Sequence, residues 1–362
     1  MSGRSNGTVA FAGHRFDVRT DETFHADQSI HLQNFSPETS PAPPCGQLTQ
    51  IRIHHSENLF RDHGARLADA QSLEVLPFRG EPYLASRLGQ VRWWRPDPAS
   101  HLPADHLYAR DTTGQLHIVL HPRTDRGERY ALRVIREVVL RCAEHRGWTA
   151  FHAAAATVDD HGVLIAGPSG AGKTTLLTAL AAHRRADLVG SDRVLVTESA
   201  ASVVGVPISV RIAGGTLSAL APNSSLPPHS VLPTDFGTSR KASCTPHDFA
   251  GAFAVRVRES APLRLVVLPR LYDDDRDISV AFPSAAAAAR AALAAVCCTP
   301  HDEDWLHPWF ADRTRPEGEL ARQAADVMDD LVARVPAIQV TAGVHTPHLL
   351  ERLADAVARR LP

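Results

Sequence analysis

The chain has 362 residues, 44% of them hydrophobic, which is enough for one large domain or two moderate ones. Its formal net charge of -2 excludes the broad basic field typical of proteins that bind nucleic acid or an anionic membrane, so neither partner is predicted. The N-terminus lacks the apolar segment of a secretory signal and the five cysteines are an odd number, so we expect a cytoplasmic protein without a disulfide framework.

Residues 1–125 are predicted to form a β-rich accessory region. In this region, β-branched and aromatic residues alternate with polar ones in short runs, and turn-forming residues separate the runs. The predicted strands are 8–11, 14–18, 50–53, 73–76, 91–94 and 116–120. We find no chemical motif in this part of the chain.

A second domain is predicted over residues 126–362. Its first helix ends at Gly147 and has an apolar face made of Leu132, Ile135, Val139 and Cys142. The predicted strands of this domain are 150–158, 162–166, 188–190, 193–197, 208–212 and 263–268. The Pro- and Ser-rich stretch 221–236 is predicted to be a mobile surface loop.

The C-terminal part is predicted to be helical. One helix is indicated by the apolar stripe of Leu320, Ala324, Val327 and Leu331. A short strand is expected at 338–340, and a last helix is predicted to start with Thr346 as its N-cap and Pro347 at its first position.

A phosphate-binding motif lies between the strand at 162–166 and a helix predicted to run to Arg184. The motif consists of Gly167, Pro168, Ser169, Gly170, Ala171, Gly172, Lys173 and Thr174, and Thr175 follows it. Its glycines let successive backbone N–H groups point at an anion, and the positive end of the helix adds to the attraction. In such a loop the lysine reaches the β- and γ-phosphates and the Thr174 hydroxyl ligates Mg²⁺, so residues 167–175 are predicted to bind ATP with Mg²⁺.

Asp192 is the predicted acidic partner of this loop. It follows the apolar run 188–189 and lies nineteen residues after Lys173. A carboxylate at the end of that strand is expected to face the loop across adjacent parallel strands. It would hold Mg²⁺ through water or accept a proton from a hydroxyl acceptor, and an aspartate that only caps a turn is the alternative.

Lys241 is a second candidate cation. The chain has 38 Lys and Arg residues, and only Lys173 and Lys241 are lysines. In such an arginine-rich chain, a lysine is expected where a compact ammonium group is needed. Lys241 would act on the phosphates or on an acidic acceptor, and simple exposure to solvent is the alternative.

Four features resemble the catalytic domain of HPr serine kinase/phosphorylase: His152, the strand–turn–strand at 150–166, the phosphate loop and the run LVGSDRV at 188–194. The closer resemblance is to HPr-kinase-like proteins encoded near peptide-modifying enzymes, such as lasso-peptide precursor kinases. The resemblance covers about residues 148–215 by motif and extends to the C-terminus by layout. Residues 1–125 do not match the N-terminal domain of the bifunctional enzyme.

The resemblance implies an α/β fold, namely a P-loop kinase domain of the HPr kinase/phosphoenolpyruvate carboxykinase type. In this chain the domain would carry a β-rich N-terminal region and C-terminal helices. The resemblance also implies that Mg-ATP phosphorylates a serine hydroxyl. Proteins of the family often form homo-oligomers, and the residues of this chain leave its oligomeric state open. A family histidine lies near the transferred phosphoryl group, and His152 occupies its place; a histidine buried on a strand is the alternative.

The chain departs from the family pattern at two places. The family has paired aspartates after the loop helix, whereas this chain has Ser191 followed by Asp192, so only the second matches. The family signature Glu-x-Arg-Gly is reduced to Ser209-Val-Arg211-Ile, in which Arg211 matches and the glutamate does not. These departures argue against phosphorylase activity and leave the acid–base step open.

The leading hypothesis is a Mg-ATP-dependent kinase that phosphorylates a hydroxyl, expected to be Ser or Thr of a peptide or small protein. Its predicted catalytic residues are Asp192, His152, Arg211 and Lys241. Two alternatives remain: a nucleotide-binding scaffold or regulatory protein without kinase activity, and a small-molecule kinase.

Overall fold

The computed structural model describes residues 6–11, 14–20, 49–78, 81–124, 127–206, 208–220, 236, 240–283, 285–301, 307 and 310–362. The chain divides into two units. The first unit comprises Met1–His145 and His301–Arg315, and the second comprises Arg146–Pro300 and Pro316–Pro362. Among the described residues, no helix is both long and apolar enough to cross a membrane.

The first unit contains an eight-stranded sheet. Its strands are β1 (Asn6–Phe11), β2 (His14–Thr20), β3 (Thr49–His55), β4 (Leu73–Phe78), β5 (Glu81–Leu88), β6 (Val91–Pro96), β7 (His106–Arg110) and β8 (Leu116–Leu120). Their order is β1-β2-β3-β8-β7-β6-β5-β4, and β3 is parallel to both of its neighbours. Each predicted strand of this region lies within an observed strand, whereas β5 and β7 were not predicted.

Two helices cover opposite faces of this sheet. α1 (Glu57–Ala68), which was not predicted, packs Leu67 into a cluster with Trp93, Leu107 and Val119. On the other face, α2 (Gly127–His145) stacks Tyr130 on His106 with ring centroids 3.7 Å apart. α2 therefore belongs to the first unit. The division between the two units falls after His145, whereas the predicted boundary lay between residues 125 and 126.

The second unit contains a nine-stranded mixed sheet and a two-stranded ribbon. Its strands are β9 (Thr149–Phe151), β10 (Ala153–Val158), β11 (His161–Ala166), β12 (Asp187–Gly190), β13 (Val194–Val196), β14 (Ser202–Gly205), β15 (Val210–Ala213), β16 (Lys241–Cys244), β17 (Ser260–Tyr272), β18 (Ser279–Ala281) and β19 (Ala337–Gly343). The main path is β12-β10-β11-β17-β14-β13-β9, with β19 on β17 and β18 on β19, while β15 and β16 form the ribbon. β17 is parallel to β11 and to β19.

Helices cover both faces of the main sheet of the second unit. They are α3 (Lys173–Arg184), α4 (Gly214–Ser218), α5 (Pro246–Phe253), α6 (Ala286–Ala294), α7 (Glu317–Arg334) and α8 (Leu349–Ala358). Ala154 and Ala156 of β10 pack with α3 and α8, whereas Ala153 and Ala155 pack with α6 and α7. A strand buried on both faces has little need of polar residues, which explains the run of four alanines with which β10 begins. The α/β class is thus confirmed.

Two local predictions differ from the structure, and a third lies largely outside the described residues. The strand predicted at 150–158 is two strands, because the N–H of His152 leaves the sheet and donates to the carbonyl of Val296 at 2.7 Å. The last helix begins at Leu349 after an N-cap at His348, so the predicted Thr346 cap is wrong. The Thr346 hydroxyl donates instead to the carbonyl of Arg276 at 2.8 Å. The loop predicted at 221–236 lies outside the described residues except for residue 236.

Candidate functional site

The phosphate loop joins the end of β11 to the start of α3. Gly170 (φ 83°) and Gly172 (φ 100°) have left-handed backbone conformations that glycine adopts without strain. At Gly172 a Cβ atom would also lie 2.5 Å from Cδ1 of Leu271, so a side chain does not fit there. Because Gly172 is the N-cap of α3 and has no side chain, the N–H groups of the first helical turn stay available for an anion.

Lys173 is the first residue of α3 and folds back onto the loop. Its Nζ atom donates to the carbonyl oxygens of Gly167 at 2.7 Å and Pro168 at 3.0 Å, and the residue is only 9% exposed. Burial lowers the pKa of Lys173 to about 8, although the nearby Asp192 carboxylate opposes this shift. The loop thus holds a desolvated cation beside the free amides of a helix N-terminus, and this donor set fits a polyphosphate.

The two threonines after Lys173 have different surroundings. Thr174 is partly exposed, whereas Thr175 is buried and its Oγ1 lies 2.8 Å from Oγ1 of Thr216 on α4. The hydroxyl of Thr175 therefore packs against α4, and Thr174 is the one open to a ligand. Of the other predicted loop residues, Gly167 is buried and Ala171 half-buried, while Pro168, Ser169 and Gly170 are exposed.

Asp192 follows β12 and lies at the same edge of the sheet as the phosphate loop. β10 is antiparallel to both β11 and β12, so β11 and β12 run in one direction and end at one edge. The expectation of adjacent parallel strands is wrong, because β10 lies between them. Asp192 itself has a left-handed backbone (φ 69°) and a side chain that is 38% exposed.

His152, Asp192 and Arg193 form a polar cluster. Nη1 of Arg193 lies 2.6 Å from Nδ1 of His152 and donates to the Asp192 carbonyl at 2.9 Å. The carboxylate of Asp192 lies 3.3 Å from Nη1 of Arg193 and 3.3 Å from Nδ1 of His152. Burial of the Arg193 side chain, which is 6% exposed, gives this cluster a fixed cation at its centre.

Arg211 and Lys241 lie on one face of the β15–β16 ribbon. Arg211 pairs with Ser243 and Lys241 with Ala213, so these positions share a face, while Val210 and Ile212 on the other face enter the core. Both cations are exposed. Partial desolvation and the neighbouring Arg211 lower the pKa of Lys241, and the Asp192 carboxylate raises it, which indicates that Lys241 lies within electrostatic range of the cluster.

Thr174 and Asp192 are the residues that could hold Mg²⁺. Within the described ranges no group of three or more His, Cys, Asp or Glu side chains could bind a metal ion. Mg²⁺ that is bound with a nucleotide takes most of its ligands from phosphates and water and needs only one or two from the protein. A hydroxyl in the first turn of α3 and a carboxylate at the same sheet edge therefore fit this ion.

Two residues of the site were not predicted. In the sequence, Arg193 was only one residue of the run at 188–194. Its position next to Asp192 was the one feature of the sequence that could have indicated a role in the site. Thr216, which binds Thr175, lies forty-one residues further along the chain and no sequence pattern connects the two.

In comparisons with known proteins, no protein-family model matches the chain, and no curated protein matches it in sequence. A functional interpretation therefore depends on the motif residues and on their geometry.

Proposed function

We propose that the second unit is a Mg-ATP-dependent kinase that phosphorylates a hydroxyl, that of Ser or Thr in a peptide or small protein. The observation that carries this proposal is the phosphate loop between β11 and α3 with the Asp192 carboxylate at the same edge of the sheet. A loop of this kind binds the polyphosphate of a nucleotide. Phosphoryl transfer to a hydroxyl needs, in addition, a nearby acidic side chain that can accept the hydroxyl proton.

The proposed reaction assigns each residue a role. The acceptor oxygen bonds to the γ-phosphorus while the bond from that phosphorus to the β–γ bridging oxygen breaks, the hydroxyl proton passes to Asp192, and ADP leaves. Lys173 and the first-turn amides of α3 hold the phosphates, and His152, Arg211 and Lys241 stabilise the charge on the transferring group. Mg²⁺ held by the Thr174 hydroxyl, and by Asp192 through water so that its carboxylate can still accept the proton, would neutralise phosphate charge.

The replacement of Asp192 by asparagine tests the proposal. Transfer of radiolabel from the γ-phosphate of ATP to a library of Ser/Thr peptides, small proteins and small hydroxyl compounds is measured for the wild type and for Asp192→Asn. We expect transfer to a peptide or protein, and a fall of roughly 100-fold or more in Asp192→Asn with nucleotide binding retained. Lys173→Ala, as the matched control, should lose nucleotide binding itself.

Two results would contradict this function. One is ATP binding by the wild type without transfer to any acceptor. The other is full activity in Asp192→Asn. Transfer to small hydroxyl compounds alone would show a small-molecule kinase instead of a peptide kinase.

Ser191 favours a second candidate, a nucleotide-binding scaffold without phosphotransfer. Ser191 stands where the kinases that the chain resembles have their first aspartate, and it is only 3% exposed. If the wild type is inert and Ser191→Asp transfers phosphate, the scaffold function is supported. A wild type that already transfers phosphate excludes it.

A further inference from the structure

The contact between Arg193 and His152 determines which nitrogen of the imidazole carries hydrogen. The guanidinium of arginine has N–H donors and no acceptor. Its Nη1 atom lies 2.6 Å from Nδ1 of His152, so the arginine donates and Nδ1 accepts. A neutral imidazole that accepts at Nδ1 carries its hydrogen at Nε2.

The same nitrogen of His152 also faces a carboxylate. Nδ1 lies 3.3 Å from Oδ1 of Asp192, which is within reach of an ion pair if Nδ1 were protonated. Arg193 lies closer to Nδ1 than Asp192 does, at 2.6 Å against 3.3 Å. Because Nδ1 accepts from Arg193, it has no hydrogen to donate to the Asp192 carboxylate.

The backbone of Asp192 depends on the same side chain. Asp192 has φ of 69°, a conformation that is uncommon for a residue other than glycine. Its carbonyl accepts a hydrogen bond from Nη1 of Arg193 at 2.9 Å, and its carboxylate lies 3.3 Å from the same atom. Because the Arg193 side chain is almost fully buried, it holds one geometry for both neighbours.

We propose that Arg193 is a positioning residue: it keeps His152 in the Nε2–H tautomer, so that Nδ1 does not donate a hydrogen bond to the Asp192 carboxylate. His152 then serves as a hydrogen-bond donor to the transferring phosphoryl group through Nε2, and Asp192 remains available as the proton acceptor. This inference rests on the proposed kinase function for its catalytic consequence, whereas the tautomer is a property of the protein itself.

The test combines NMR with kinetics. The ¹⁵N shifts of the His152 ring, assigned by comparison with His152→Gln, report which nitrogen carries hydrogen. We expect the Nε2–H tautomer in the wild type near neutral pH. In Arg193→Met we expect hydrogen on Nδ1, because the ring can then donate to the Asp192 carboxylate, which lies 3.3 Å from Nδ1.

Kinetics provide the second measurement. In Arg193→Met we expect kcat to fall roughly 10- to 100-fold with little change in KM for ATP, as is typical when a partner that orients a catalytic group is lost. Arg258→Met is the matched control, because Arg258 binds Asp187 at the start of β12 at 2.6 Å and lies outside the cluster. It should keep kcat.

Three results would overturn the inference: an Nδ1–H tautomer in the wild type, an unchanged tautomer in Arg193→Met, or an unchanged kcat in that variant. If Arg193→Met does not fold, the ¹⁵N shifts of the His152 ring in the wild type still show whether the inferred tautomer is present. If the wild type transfers no phosphate, the proposed function fails separately, and the ring shifts still support or refute the placement of hydrogen by Arg193.

Discussion

Lys173 combines two properties that oppose each other. Its ammonium group is desolvated, which lowers its pKa to about 8 from the ordinary value of 10.5, and it must be charged to attract phosphate. In the structure the loop carbonyls of Gly167 and Pro168 partly replace the lost water. Bound phosphates would favour the charged form more strongly than these carbonyls do.

For the proposed ATP site, this balance predicts how nucleotide affinity depends on pH. Below about pH 8, Lys173 is already charged before the nucleotide binds. Above about pH 8, Lys173 has to take up a proton when the nucleotide binds, so nucleotide affinity should fall by up to about tenfold per pH unit. Titration with a fluorescent ATP analogue at about pH 7, 8 and 9 measures the effect. Lys173→Arg, which stays charged over this range, should lose the dependence. A flat affinity in the wild type would show that Lys173 keeps an ordinary pKa.

At the scale of elements, the turn from β11 into α3 depends on a neighbouring strand. Leu271 of β17 packs against Gly172, and a Cβ atom there would lie 2.5 Å from its Cδ1 atom. β17 is also parallel to β11, so its carboxyl end is held beside the loop by the sheet. The conformation of the loop thus follows from the packing of two strands as well as from its own glycines.

Gly172→Ala should therefore weaken nucleotide binding by at least about tenfold, from backbone strain of roughly 1–3 kcal/mol together with the clash. Gly170→Ala is the matched control, because Gly170 also has positive φ but has no atom within 4 Å of its added Cβ. Adding Leu271→Ala to Gly172→Ala should recover part of the affinity, and fluorescent nucleotide titration measures all three. Equal losses in the two alanine variants would show that packing against Leu271 is unimportant.

At the scale of the whole molecule, the two units differ in what their cores contain. The main sheet of the second unit has nearly uniform apolar packing on both faces. The first unit buries a chain of polar groups: Arg133 donates to the Tyr83 hydroxyl at 2.9 Å, that oxygen lies 2.8 Å from Nε2 of His106, and Nδ1 of His106 lies 2.9 Å from Asp105. Burial lowers the pKa of His106 to about 4.

His106 should therefore make the first unit less stable in mild acid than a variant with a neutral residue at this position. The unfolded chain protonates His106 near pH 6.5 while the folded unit does not, so the contribution of His106 to stability should fall between about pH 6.5 and 4 by up to about 3 kcal/mol. His106→Gln should remove this slope. Burial raises the pKa of Glu137 to about 7, so Glu137 changes stability with pH in the opposite direction. This contribution is the same in the wild type and in His106→Gln, and it cancels when the two proteins are compared. Urea unfolding followed by circular dichroism at about pH 7 and 4.5 measures the difference, and equal slopes would contradict the assignment.

Local patterns predicted much of the fold. Alternating residues predicted β3 and β8, and the stripe from Leu320 to Leu331 predicted the buried face of α7. α1 was missed because its sequence is largely polar, and only Leu67 in it is buried. β7 was missed because the five residues His106–Arg110 include His106 and Arg110, and His106 is accommodated by partners far away in sequence.

For the candidate site, the sequence by itself predicted the phosphate loop, because the turn into α3 needs glycines at fixed positions and a bound anion would need the lysine after them. It also determined the candidates Asp192 and His152, which lie near the loop in the chain. Only the tertiary structure decided that Arg193 joins these two residues, that Thr175 turns to Thr216, and that the ribbon brings Lys241 within electrostatic range. These contacts depend on how strands distant in sequence pair in the sheet, and such pairing is set by the packing of the whole unit and not by local pattern.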